Sequence, residues 1–157
     1  MKKNLLATKN MRKHLGQHFL KNSSSLKKIA EALGLRPNDP VKSRGDHGTS
    51  VVVEIGAGHG ELTGELLAVS FELLEKRGGG KIKIVTIEKD KNLASGLELL
   101  AASNKNLEVL VGDALKILPE LTKSYKLKPK SWKLVGNIPY YITGRLLRIL
   151  SEMENKP

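Results

Sequence analysis

Val51-Val52-Val53-Glu54-Ile55-Gly56-Ala57-Gly58-His59-Gly60-Glu61 (residues 51–61) decides the fold of this 157-residue chain. A β-branched apolar run bounded by glycines reads as a buried strand. The glycines that follow allow tight, left-handed turns and close approach of a ligand to the backbone. A helix is predicted from about Glu61 to Arg77, closed by Gly78-Gly79-Gly80. Working outward, Ile82 to Ile87 reads as a second strand ending at Glu88, and Lys91 to Ala102 as a helix. Leu107 to Val111 is a third strand, followed by Gly112-Asp113 and a short helical link. Trp132 to Val135 is a fourth strand, running into Gly136-Asn137-Ile138-Pro139-Tyr140, and a last helix runs from about Thr143 to Met153. Upstream, Asn22 to Ser25 offers caps for a helix bearing Leu26, Ile29, Ala30 and Leu33, stopped by Gly34, and residues 36–50 form a loop. Strands alternating with helices predict an α/β fold with a doubly wound parallel sheet.

Composition limits the function. There is no cysteine, which excludes a disulfide scaffold and a Cys-based zinc site, and no metal is expected. No apolar run is long enough to span a bilayer, and no apolar signal core follows Met1-Lys2-Lys3, so a soluble, cytoplasmic protein without a membrane partner is expected. The formal net charge of +11 is unevenly placed. Residues 1–36 carry nine Lys/Arg against Glu31, residues 37–120 are mildly acidic, and residues 121–157 carry eight Lys/Arg against two acids. Basic ends around an acidic middle point to a polyanionic partner, above all nucleic acid. Residues 1–13 read as a basic, mobile tail.

Ligands of doubly wound sheets bind at the carboxyl ends of the strands. Four such ends carry chemistry here: Gly56 to Gly60, Glu88, Asp113, and Asn137 to Tyr140. The dinucleotide fingerprint requires glycine where this chain has Glu61, and an acid opening the helix repels a pyrophosphate. Glu88 can accept both hydroxyls of a ribose. Asp113 can accept from an adenine amine or cap the helix after it. The set fits an adenosyl cofactor without a pyrophosphate, S-adenosylmethionine. In Asn137-Ile138-Pro139-Tyr140, the Asn137 side-chain oxygen and the Ile138 carbonyl can grip the two N–H groups of an exocyclic amine. Pro139 fixes the backbone, and Tyr140 offers a face for stacking a flipped base, worth roughly 1–3 kcal/mol.

Five motifs in order then carry a resemblance. They are His14-Leu15-Gly16-Gln17-His18-Phe19-Leu20, Glu54 to Thr63, Ile87-Glu88-Lys89-Asp90, Gly112-Asp113-Ala114 and Gly136 to Tyr140. From about Arg12 onward the chain resembles the ribosomal RNA adenine dimethyltransferases, most of all the branch that dimethylates two adjacent adenosines near the 3′ end of 16S rRNA. The resemblance implies a Rossmann-like methyltransferase fold over residues 14–157, S-adenosylmethionine as cofactor, and a role in small-subunit ribosome biogenesis. His18 and Leu20 would contact the cofactor's methionine part, and Gly56 and Gly58 would line its turn. Glu88 would hold its ribose and Asp113 its adenine. Asn137 is expected in the cofactor site and, with Ile138, Pro139 and Tyr140, in catalysis. The partner would be 16S rRNA in a small-subunit precursor, and the chain is expected to be a monomer.

The family has Asn at His18 and Pro at Ala57, and it continues with further strands and a helical C-terminal domain. The sequence therefore reads as the N-terminal part of that domain, ending after the fourth strand and its helix, with strand four left as an edge. Competing readings are a large-subunit (23S) rRNA adenine methyltransferase of the antibiotic-resistance type, a non-catalytic nucleic-acid-binding relative, and a nucleotide-dependent dehydrogenase.

Overall fold

The computed structural model describes residues 20–35, 50–77, 82–128 and 132–157. The basic tail, His18 and most of the loop at 36–50 lie outside the described residues. The elements are α1 (Ser23–Ala32), β1 (Ser50–Ile55), α2 (Glu61–Arg77), β2 (Ile82–Glu88), α3 (Lys91–Ala102), β3 (Leu107–Val111), α4 (Ala114–Ser124), β4 (Trp132–Val135) and α5 (Tyr140–Glu152).

The strands form one parallel sheet in the order β3-β2-β1-β4. Val53 of β1 lies between Val85 of β2 and Leu134 of β4, which fixes the register at the centre. Side chains alternate between the faces, so each apolar strand supplies two cores. Val52 and Ile84 pack with Leu26, Ala30, Leu62 and Leu66 beneath α1 and α2. Val53, Ile55, Val85 and Ile87 pack on the other face with Leu118 and Leu121 of α4 and Leu146 of α5. Trp132 fills the base of this second core, and its indole N–H donates to the Asn155 carbonyl at 3.1 Å.

The crossovers explain where the site lies. Through α2 and α3 the chain steps outward from β1 to β2 to β3. It then returns through α4, on the opposite face, to place β4 on the free side of β1. Right-handed crossovers require this change of face when the direction reverses. The reversal leaves a crevice between the carboxyl ends of β1 and β4.

Two helices differ from the sequence expectation. The short link is a full helix, α4, of 11 residues with Pro119 inside it. Proline removes one internal hydrogen bond, but Ala114, Leu118 and Leu121 on one buried face hold the helix to the sheet. The last helix begins at Tyr140 rather than about Thr143. Pro139 stands at its N-cap in an extended conformation, with φ −63° and ψ 142°, and makes no side-chain cap. Its carbonyl instead receives the Ile142 N–H at 3.2 Å and the Thr143 hydroxyl at 3.4 Å.

Candidate functional site

The glycine turn after β1 is built around a buried acid from the neighbouring strand. Glu88 ends β2 and is 3% exposed. Its Oε2 accepts the Gly58 N–H at 2.9 Å, and its Oε1 accepts the Asp90 N–H at 2.8 Å. One carboxylate thus ties the β1 turn to the start of α3. Gly58 has φ +62°, a conformation that a side chain strains. Each carboxylate oxygen has a second acceptor direction, so Glu88 can also receive ligand hydroxyls.

The Asn137–Tyr140 segment reaches the same place because of Gly136. A Cβ there would collide with the Ile55 carbonyl oxygen, so only glycine lets the end of β4 cross so close to the end of β1. A Cβ built on Gly56 would lie 4.0 Å from the Asn137 carbonyl oxygen, which places the two turns side by side.

A cavity of about 450 Å³ opens where these elements meet. Leu20, Gly56, Gly58, Glu88 and Asp113 line it from α1's approach and the β1, β2 and β3 ends. Asn137, Ile138, Pro139 and Tyr140 close its other side. Nine residues singled out from sequence therefore share one cavity, while His18 lies outside the described residues. Tyr140 is 95% exposed, so its ring is a surface at the mouth rather than core filling.

Asp113 holds two positions at once. Its Oδ1 accepts the Leu115 N–H at 3.0 Å and caps α4, and its Oδ2 accepts from Lys89 Nζ at 3.3 Å. Partial burial opposes ionisation, but the Leu115 N–H and the Lys89 and Lys116 charges outweigh it and hold the carboxyl below its ordinary value. A donor to Asp113 must therefore share it with Lys89.

Sequence reasoning gave no role to Glu54. This side chain is 1% exposed, lines the cavity and accepts from Thr63 Oγ1 at 2.6 Å. Burial pushes its carboxyl up to about 7; the Thr63 bond pulls the other way, and Glu88 and Glu61 add to the rise. A charged residue inside the run Val51-Val52-Val53-Glu54-Ile55 was the available signal. With Glu61, Glu88 and Asp113 also in the lining, four carboxyl groups face the cavity. A ribose and a cationic centre suit this donor set, and a pyrophosphate does not. The residues present therefore fit an adenosyl sulfonium.

Comparison with known proteins shows the family. A family model for ribosomal RNA adenine dimethylase matches residues 8–156. A ribosomal RNA small subunit methyltransferase A from Dehalococcoides mccartyi (strain ATCC BAA-2266 / KCTC 15142 / 195) is 35% identical over 146 residues, covering 93% of this chain and 42% of that protein. The protein of the same name from Synechococcus sp. (strain RCC307) is 34% identical, covering 93% and 44%. The crystal structure of 23S rRNA methyltransferase ErmE superposes with a TM-score of 0.59 at 26% identity, covering 88% of this chain and 45% of that one. The chain thus spans less than half the length of these relatives. Its match to the family model runs through every strand and every lining residue of the cavity, and the chain belongs to the ribosomal RNA adenine dimethylase family.

Proposed function

We propose that this chain binds S-adenosylmethionine at the β1/β4 crevice and directs methyl transfer to the exocyclic amine of adenosine in small-subunit rRNA. The acceptors are two adjacent adenosines near the 3′ end of 16S rRNA, in a precursor of the subunit. One observation carries the proposal: Asn137 to Tyr140 and the glycine turn with its Glu88 brace line the same cavity.

When bound, the cofactor supplies an electrophilic methyl group on a cationic sulfur. Glu88 receives the ribose hydroxyls with acceptor capacity that the Gly58 and Asp90 N–H groups leave open. Asp113 would receive the cofactor's adenine amine alongside Lys89, and Leu20 would cover its methionine end. Glu61 and Glu88 favour the positive centre over a neutral one. On the substrate side, the Asn137 side-chain oxygen and the Ile138 carbonyl accept the amine's two N–H groups. That grip turns the nitrogen lone pair out of conjugation with the ring and toward the methyl carbon. Tyr140 stacks on the base. With the cofactor in place, Asn137 and Ile138 would hold the amine nitrogen against its methyl group, and the amine's proton would leave to solvent. Positioning of this kind can supply most of the rate without a strong base.

The same proposal carries the expectation of a monomer acting in the cytoplasm. Among the described residues, no helix is long and apolar enough to cross a membrane. A second reading, methylation of a large-subunit adenine, draws on the likeness to ErmE. Labelled methyl transfer to 30S particles, set against naked 23S RNA, separates the two. Incorporation into 30S particles alone supports the first, incorporation into 23S RNA alone supports the second, and none in either removes both.

A further inference from the structure

Helix α5 leaves the cavity carrying an unusual outer face. Tyr140, Tyr141 and Arg145 line the cavity mouth and belong to this helix. Tyr141 is 65% exposed, Leu147 is 60% exposed, and the side chains of Arg145 and Arg148 are exposed. Tyr141, Arg145 and Arg148 are spaced four and then three residues apart, which puts them on one stripe. The stripe runs for about 10 Å of helix axis away from the cavity. Beside it, a Cβ on Gly144 would meet nothing within 4 Å, so the helix surface there is open.

The charge on this face is mostly positive. Glu152, at the far end, is the only acid in α5, and it lies 3.7 Å from Arg148 with both side chains largely exposed. Such a pair is weak and screened by salt, so Arg148 can exchange it for a phosphate. An aromatic ring followed by two guanidinium groups at this spacing suits a strand with exposed bases and a charged backbone. A duplex offers its backbone but hides its bases in the stack.

We propose that the outer face of α5 is a track for single-stranded RNA, which Tyr141 holds by stacking and Arg145 and Arg148 hold by the phosphates as the target base enters the cavity. The proposal rests on the RNA-methylating reading above and names the surface that delivers its substrate. Tyr140 serves the flipped base, and Tyr141 its neighbour in the strand.

The test is fluorescence titration of the whole chain with a short, labelled, adenine-containing single-stranded RNA at several salt concentrations. Removing two phosphate contacts should reduce the slope of log K against log salt by about 1.4, at about 0.7 for each contact on a single strand. That is the result expected of the R145Q/R148Q double variant, with circular dichroism confirming its helix content. Tyr141→Ala should weaken binding about tenfold. Lys105→Gln, at the opposite edge of the sheet, should leave the slope unchanged. An unchanged slope in the double variant overturns the track, even if the wild-type chain transfers methyl groups. A reduced slope without methyl transfer supports the track and removes the proposed reaction instead. Absence of RNA binding by the wild-type chain overturns the track, and preferential binding to anionic vesicles assigns the face to a membrane surface.

Discussion

Glu54→Gln should stabilise this chain at pH 8 and have little effect near pH 4.5. The wild-type carboxyl sits at about 7 in the folded chain, against an ordinary value of 4.5, because it is buried between β1 and α2. A folded-state pKa above the unfolded one means that the folded chain binds more protons between those values. Stability is then greatest below 4.5 and falls as the pH rises through 7. At about 1.4 kcal/mol for each tenfold change in proton affinity, the loss by pH 8 is about 3 kcal/mol. Glutamine keeps an oxygen to accept from Thr63 Oγ1 and has no proton to lose. Urea denaturation at pH 5, 6, 7 and 8 reads this directly: the wild-type unfolding free energy should decline across the series relative to the variant's. Asp113 and Glu108 are both held below their ordinary values, so their contributions are lost only at lower pH and do not blur the comparison. Parallel pH profiles for the two proteins would refute the reasoning, because they would show that the Glu54 carboxyl reaches water in the folded state.

Other perturbations separate the parts of the site. Glu88→Ala should abolish measurable S-adenosylmethionine binding by calorimetry, since it removes both the proposed ribose acceptor and the brace on the Gly58 and Asp90 N–H groups; unchanged affinity would show that Glu88 serves only the fold. Asn137→Ala should eliminate methyl transfer while changing cofactor affinity less than twofold, and a variant as active as wild type would remove the proposed grip on the amine. Lys89→Ala should tighten cofactor binding severalfold, because it releases Asp113 Oδ2 for the proposed bond to the adenine amine; weaker binding would instead make Lys89 part of the site. Gly136→Ala should lower stability by about 2 kcal/mol or more in denaturant titration, because its methyl would meet the Ile55 carbonyl.

Much of this was legible in the sequence because the strands are short, apolar and punctuated by glycine. The runs 51–55 and 82–87 read as buried strands, and in a parallel sheet the residues that end them meet at one edge. The helix starts were less legible. Tyr140-Tyr141-Ile142 has poor helix propensity, and Pro139 offers no capping oxygen, yet carbonyl bonds at Pro139 and burial of Leu146 carry the helix back to Tyr140. Pro119 counts against the full length of α4 in a similar way, since propensity disfavours a helix that packing upholds. Within the site, sequence supplied residue types but not their existing partners. The Gly58 N–H already on Glu88 and the ammonium on Asp113 arise between strands and were visible only in three dimensions. Glu54 shows the same limit: its place in the strand was plain, but its burial beside Thr63 depended on how α2 folds back over β1.

Calorimetric titration of the 157-residue chain with S-adenosylmethionine tests the central claim most directly, with the Glu88→Ala variant alongside. Saturable binding at one site per chain, lost in the variant while near-ultraviolet circular dichroism shows both proteins folded, is the expected result. A folded wild-type chain that gives no binding heat at several temperatures, and no cofactor retention on equilibrium dialysis, would contradict the assignment of the β1/β4 crevice as an adenosyl site.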